Sequence, residues 1–203
     1  MRVAGIAILA VLGVACGGAQ GASDLPRIVA ADSAFRAPAA FSSTDPSPPA
    51  APGLDAAGVR AVSASEAAHY LQGRKGRVTL AILYGTRCPR SRAMFPGFVG
   101  LARHYEGQAF AVAAFSTDDA EDKDGIPDFL ARYEAPFDPL YIKPWQPGEL
   151  SDALTPLGFH ITRAPWDRPY VAVLDPQGNV VVQWNAAINL AAIDAAIQSQ
   201  LAR

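Results

Sequence analysis

Cysteine is nearly absent from this chain: there are two in 203 residues, Cys16 and Cys88. That excludes a disulfide-stapled scaffold, which needs a larger, even set of cysteines in a short secreted domain. Histidine is as scarce, and His69, His104 and His160 share no metal-ligand spacing, so no metal site is expected. Charge of one sign is not in excess either. A formal net charge of -2 gives no electrostatic footprint for nucleic acid or for an anionic membrane surface. The chain holds no Gly-rich phosphate loop, no Gly-x-Ser-x-Gly elbow and no internal repeat, so nucleotide binding and serine-hydrolase chemistry of those kinds find no signature. No cofactor is expected.

Half of the residues are apolar, enough for one core in a chain of this length. The N-terminus reads as a targeting signal. Met1-Arg2 is a short basic start, and Val3 to Val14 is apolar apart from glycines. That run is shorter than the ~20 apolar residues of a membrane-spanning helix, and it fits the apolar region of a signal peptide. Leu12-Gly13-Val14-Ala15-Cys16 is similar to a bacterial lipobox, with Gly13 where leucine is usual, which makes Cys16 the expected site of lipidation and 1–16 a removable leader. Ordinary secretory cleavage nearby is the alternative, and either reading exports the chain. Residues 17–60 are rich in Ala, Pro, Ser and Gly and show no apolar period, as in a flexible tether. The folded domain is expected over 61–203.

Within it, Ser63 or Ser65 can cap a short helix that ends at Gly73. Arg77 to Tyr84 is a nearly continuous apolar run, the mark of a strand covered on both faces. A loop with Cys88 leads into a helix from Pro89 to Tyr105, with Pro96 expected to kink it. Strands follow at 108–115 and 140–142, and helices at 124–134 and 149–157. Strands 170–174 and 180–184 flank Asp175-Pro176-Gln177-Gly178-Asn179, a hairpin signal. Asn189 can cap a last helix to Leu201. This alternation predicts an α/β fold, a mixed sheet of about four or five strands with helices on both faces.

The acidic run Asp118 to Gly125 fails the calcium-loop pattern, because Ala120 and Ala131 hold the first and twelfth ligand places; it reads as a solvated loop. Trp145, Trp166 and Trp184 are expected to cover the core and the rim of a cleft.

The segment Tyr84-Gly85-Thr86-Arg87-Cys88-Pro89-Arg90-Ser91-Arg92-Ala93-Met94-Phe95-Pro96 resembles the active-site run of the TlpA/ResA group of exported thioredoxin-like proteins, aromatic-Ala-Thr-Trp-Cys-Pro-Pro-Cys-Arg-x-Glu-Met-Pro. Thr86, Cys88, Pro89, Arg92 and Pro96 fall on matching places. Arg168-Pro169-Tyr170 and the strand and hairpin after it resemble the family's cis-proline region, so the likeness runs from about Val62 to Arg203. It implies a thioredoxin fold, with Cys88 and Ser91 at the two catalytic positions and Thr86, Arg87, Arg168 and Pro169 around the substrate. Pro169 is expected to be cis on that resemblance alone, since an X-Pro bond is ordinarily cis in only ~5–6% of cases.

The departures decide the chemistry expected. Family oxidoreductases use two cysteines, one to attack a disulfide and one to resolve the mixed intermediate; here Ser91 stands at the second place. Ile82 stands where thioredoxins carry a buried acid, six residues before the first cysteine, and Arg87 replaces the tryptophan. Cys88 at a helix N-terminus, beside Arg87, Arg90 and Arg92, has the surroundings in which thiol pKa values fall to roughly 3.5–7.5. The expected function is therefore monothiol exchange or isomerase-like activity through Cys88. Its partners would be exported protein thiols or disulfides and small thiols, in the periplasm or at the cell surface, with the lipid anchor holding the membrane. A non-catalytic binding scaffold with Cys88 as a remnant is the alternative. Copper delivery of the Sco type lacks its second cysteine, where Arg92 stands, and its histidine, near Arg168 and Pro169. A peroxiredoxin-like peroxidase has its threonine one residue farther from the cysteine.

Overall fold

Arg77 to Tyr84 does build the middle of the molecule. In the computed structural model, which describes residues 54–143, 148–161, 168–185 and 187–203, every residue of the strand Val78–Tyr84 is buried. The expectations for the leader, for Cys16, for the tether up to residue 53, and for Trp145 and Trp166 lie outside the described residues.

The elements are β1 (Arg60–Val62), α1 (Ala64–Gln72), β2 (Val78–Tyr84), α2 (Pro89–His104), β3 (Phe110–Ser116), α3 (Ile126–Arg132), β4 (Leu140–Ile142), α4 (Glu149–Leu154), β5 (Tyr170–Leu174), β6 (Val180–Asn185) and α5 (Leu190–Leu201). Short 3-10 turns, Ala120–Gly125 and Thr155–Leu157, lead into α3 and follow α4. The helices expected over 124–134 and 149–157 are therefore shorter as α-helix, their ends tightening to 3-10 as helix termini commonly do. Pro96 stands on the exposed side of α2, and the helix runs through it.

The sheet is mixed and has six strands in the order β1-β4-β3-β2-β5-β6, one more than the four or five expected. The extra one is β1, which pairs in parallel with β4, Arg60 opposite Leu140. β4 is as short, but its Leu-Tyr-Ile is apolar and buried throughout; β1 is Arg-Ala-Val with only Val62 buried, and without an apolar run it carried no signal. The chain is already ordered ahead of it: Val59 is fully buried, and Asp55 accepts from the N–H groups of Ala57 and Val59. In the centre β3 runs parallel to β2, from Val78–Phe110 to Tyr84–Ser116, while β5 and β6 are antiparallel.

Alternation along β2 divides the core into two layers, as a period of two requires. Val78, Leu80, Ile82 and Tyr84 face Phe95 and Phe98 of α2, Phe129 of α3, and Ile193 and Ile197 of α5. Ala81 and Leu83 face Ala64, Ala67 and Leu71 of α1 and Leu150 and Leu154 of α4. Fully burying one such large side chain stabilises the fold by roughly 1.5–3 kcal/mol, so α2 is held firmly by its Phe95–Phe98 stripe. Trp184 packs on the first layer from β6.

Local chemistry fixes the ends. Ser63 and Glu66 form a reciprocal capping box on α1, and Asn189 Oδ1 accepts from the N–H groups of Ala191 and Ala192 at the start of α5. The turn between β5 and β6 is held by Asp175 Oδ1, which accepts from the N–H groups of Gln177 and Asn179. Parallel packing of β2 against β3 sends both strands the same way, so the loop after Tyr84 and the loop after Ser116 emerge side by side.

Candidate functional site

Those two loops are laced together. Thr117 donates to the carbonyl of Tyr84 through its N–H at 2.8 Å and through its hydroxyl at 3.0 Å. The N–H of Thr86 lies 3.0 and 2.9 Å from the two carboxylate oxygens of Asp118, and the Ser116 hydroxyl donates to Asp118 Oδ2 at 2.7 Å. Asp118 is buried, only 7% exposed, because its carboxylate is fed by these donors. The solvated loop expected at 118–125 thus begins one residue later: Asp119, Glu121 and Asp124 are exposed, whereas Asp118 belongs to the interior. The only hint in the sequence was a Ser-Thr-Asp run directly after an apolar strand.

Cys88 is the N-cap of α2, its backbone extended and Pro89 in the first turn. Its N–H donates to the carbonyl of Gly85 at 3.1 Å, and its own carbonyl accepts from the N–H of Arg92 at 3.0 Å. The thiol is half-buried and free. Its sulfur lies 3.5 Å from the carbonyl oxygen of Arg168, so the turn before β5 closes one side of the site. Pro169 follows, buried, and the Arg168–Pro169 peptide is cis. Ser91, one turn into α2, is fully buried, and its hydroxyl oxygen accepts from the N–H of Gly85 at 3.3 Å.

Partial burial pushes the Cys88 thiol up. Hydrogen bonds from the backbone and hydroxyl of Ser91 and the backbone of Arg90, together with the positive charge of Arg168, outweigh it and hold the pKa below the usual thiol range. This is the helix-terminus effect, in which unpaired N–H groups favour the anion. The source of positive charge differs from the expectation. Arg87 points away into solvent and pairs with Asp122 at 2.9 Å; Arg90 acts through its N–H; Arg92 is exposed on α2. The positive charge acting on the sulfur is that of Arg168, whose carbonyl meets the sulfur from a loop 80 residues away in the chain, and for that reason a local reading of the motif misses it.

Arg168 in turn sits against Asp118, its Nη1 3.9 Å from Oδ1, with 36% of the side chain exposed. Gly85 makes room for that pair: a Cβ there would lie 2.8 Å from Arg168 Nη1 and 3.2 Å from Asp118 Oδ1. Ile82, in the place of the thioredoxin acid, is fully buried in the core. A carboxylate nevertheless reaches the site, from the end of β3.

The described residues therefore bring together Cys88, Ser91, Thr86, Arg168 and Pro169, leave Arg87 at the rim, and add Asp118 and Gly85. The three histidines are dispersed, and no cluster of metal-binding side chains occurs among the described residues. What the arrangement can do chemically is present one thiol whose ionisation the helix terminus and the charge of Arg168 favour, with a serine where a second thiol would resolve an adduct.

Comparison with protein-family models and with curated proteins gives no match. Among solved structures, the chain is similar to a thioredoxin-family thiol:disulfide interchange protein from Chlorobium tepidum, at 18% identity and a TM-score of 0.51, over 63% of this chain and 82% of that one. It is also similar to the pneumococcal exposed lipoprotein thioredoxin of Streptococcus pneumoniae, at 17% identity and a TM-score of 0.43, over 64% of this chain and 89% of that one. A secreted disulfide oxidoreductase of Mycobacterium tuberculosis is a third, at 16% identity and a TM-score of 0.44, covering 62% of this chain and 83% of that one. The first of these likenesses shows the fold. The domain described here is an α/β thioredoxin fold.

Proposed function

We propose that this chain is an exported thioredoxin-like protein that performs thiol–disulfide exchange with a single thiol, Cys88. The observation that carries the reading is Cys88 at the N-cap of α2, with the carbonyl of Arg168 3.5 Å from its sulfur. Placement at the junction of β2 and α2 of a thioredoxin fold supports it, as does the likeness to a thiol:disulfide interchange protein.

The step balances without an external oxidant. The Cys88 thiolate attacks one sulfur of a partner disulfide; a new sulfur–sulfur bond forms to Cys88, the partner's bond breaks, and the second partner sulfur leaves as a thiolate that takes up a proton. Ser91 cannot displace the adduct, so release waits for an incoming thiol from the partner or from solution. Exchange of that kind rearranges disulfides and leaves their total number unchanged. The partners in this reading are exported proteins with disulfides, and small thiols. In this reading an extended partner segment lies against the half-buried Arg168, over the buried Thr86 and Pro169, with the exposed Arg87 at its edge.

The same reading takes 1–16 as a lipoprotein leader, Cys16 as the lipidated residue and the Ala/Pro/Ser-rich stretch after it as the tether, ending short of the ordered chain that begins at Asp55 rather than at residue 60, and it puts the domain at the periplasmic or outer face of a membrane. Mass spectrometry of the N-terminal fragment from the native host tests it. A lipid mass on Cys16 is expected; an unmodified N-terminus further along replaces anchoring with plain secretion.

The exchange reading is tested by the alkylation rate of Cys88 against pH, with adducts trapped from the native compartment. A midpoint clearly below the free-cysteine value of about 8.5 and accumulating mixed disulfides are expected. A midpoint at or above it, with no adducts, makes the domain a binding scaffold instead.

A further inference from the structure

We propose that Asp118 is a positioning residue for Cys88, acting through Arg168. The inference rests on the exchange reading above and adds a residue that neither the motif nor the fold singles out. Asp118 is buried in the loop just past β3. Its carboxylate takes the Thr86 N–H and the Ser116 hydroxyl, and its Oδ1 faces Arg168 Nη1 at 3.9 Å. Thr86 is two residues from Cys88, and the carbonyl of Arg168 touches the sulfur. One carboxylate thus ties together both walls of the site, and Gly85 keeps the space between them open.

Two effects of Asp118 on the sulfur oppose each other. Its negative charge disfavours a thiolate nearby, whereas its hold on Arg168 keeps a positive charge where the thiolate forms. The other charged groups around Cys88 among the described residues are the Arg87–Asp122 pair at the rim, Arg90 and Arg92 on the first turn of α2, and Asp119 beyond β3, the last three exposed. If positioning dominates, removing the charge of Asp118 makes Cys88 harder to ionise, the reverse of what simple charge removal does.

The sign of the shift is therefore the test. Alkylation of Cys88 by iodoacetamide is followed against pH on the full chain, by mass spectrometry of the Cys88 peptide, for the parent, Asp118→Asn, Arg168→Gln and the double variant. The asparagine keeps an acceptor for the Thr86 N–H. Asp118→Asn is expected to raise the midpoint by about one pH unit, tenfold less thiolate below it, and to lower it or leave it unchanged when Arg168 is already glutamine. Gly85→Ala, which displaces the guanidinium and leaves Asp118 charged, is expected to raise the midpoint too, and stands in should Asp118→Asn fail to fold. A midpoint that falls or stays put in Asp118→Asn overturns the proposal, as does an equal rise in the Arg168→Gln background or no rise in Gly85→Ala. The parent's own midpoint is read alongside: a parent value at or above free cysteine defeats the exchange reading, whereas a shift of the wrong sign defeats only the role of Asp118.

Discussion

The sulfur of Cys88 and the carbonyl oxygen of Arg168 stand 3.5 Å apart, although 80 positions separate them in the chain. The thiol donates to that carbonyl only while it is protonated, so the carbonyl opposes ionisation. The guanidinium of the same residue favours ionisation. Arg168 therefore acts on Cys88 with both signs, and the N–H groups at the start of α2 tip the balance towards the thiolate.

Stability should follow pH accordingly. The Cys88 pKa is lowered in the folded chain from its ordinary value, about 8.5 for a free cysteine. A depressed acid stabilises the fold fully above its unfolded pKa and loses that contribution as pH falls through the folded value. Unfolding by urea across pH 6 to about 9.5, for the parent and for Cys88→Ser, should show the parent's relative stability growing with pH and levelling off above about 8.5, the free-cysteine value. A difference that is flat, or that shrinks as pH rises, contradicts a favoured thiolate.

Legibility in the sequence depended on how far a signal had to travel. The apolar run Val78–Tyr84, the Ser63 and Asn189 caps and the 175–179 turn are local features, and each element appears where it was read. At the site, Cys88 at the head of α2 was readable because a helix start and a Pro at its first position are local too. Asp118 and the charge of Arg168 were not, because each matters only through a partner brought in by the sheet: Thr86 for one, Cys88 for the other. β1 was lost because Arg-Ala-Val offers no apolar run, unlike the equally short Leu-Tyr-Ile of β4.

Phe95 should be the anchor of α2. It is fully buried and touches the rings of Tyr84, Phe129 and Phe137, the nearest centroid 4.6 Å away. Phe95→Ala is expected to cost about 3–5 kcal/mol, which for a domain of this size lowers Tm by roughly 10 °C or more. Thermal unfolding followed by circular dichroism measures it; a fall of less than about 3 °C would mean that the aromatic layer closes over the gap.

Gly97 of α2 lies directly against the Leu190 side chain of α5. A Cβ on it would lie 2.2 Å from Leu190 Cδ1, which is too close for any side chain that stays put. Alanine in a helix interior is favoured over glycine by about 1 kcal/mol, while overpacking costs about 1–3 kcal/mol. Gly97→Ala should therefore destabilise the parent by up to about 2 kcal/mol, yet stabilise a Leu190→Ala chain by about 1 kcal/mol. Urea titration of the four members of this cycle gives the coupling. Strict additivity would show that Leu190 moves aside freely.

Ser91 carries the last prediction, because it separates a helper of the thiolate from a relic of a lost cysteine. Its side chain is fully buried, and its hydroxyl and backbone both favour the Cys88 thiolate. A hydrogen bond to a charged group is worth ~1.5–3 kcal/mol, and about 1.4 kcal/mol is one pKa unit. Ser91→Ala should therefore raise the midpoint of Cys88 alkylation by about one unit, leaving the N–H contributions of Arg90 and Ser91 in place. The hydroxyl also accepts from the N–H of Gly85, so the alanine variant should lose some stability, and urea unfolding reads that separately from the midpoint. Ser91→Cys restores the spacing of a dithiol. It should form an internal disulfide on mild oxidation, shorten the lifetime of mixed disulfides and introduce reductase turnover on a model disulfide. If Ser91→Ala leaves the midpoint where it was, the serine contributes nothing to ionisation, and the helix terminus with Arg168 must suffice. If Ser91→Cys forms the internal disulfide but gains no turnover, the surface around Arg168 and Pro169 does not admit a disulfide substrate, and the exchange reading loses its ground.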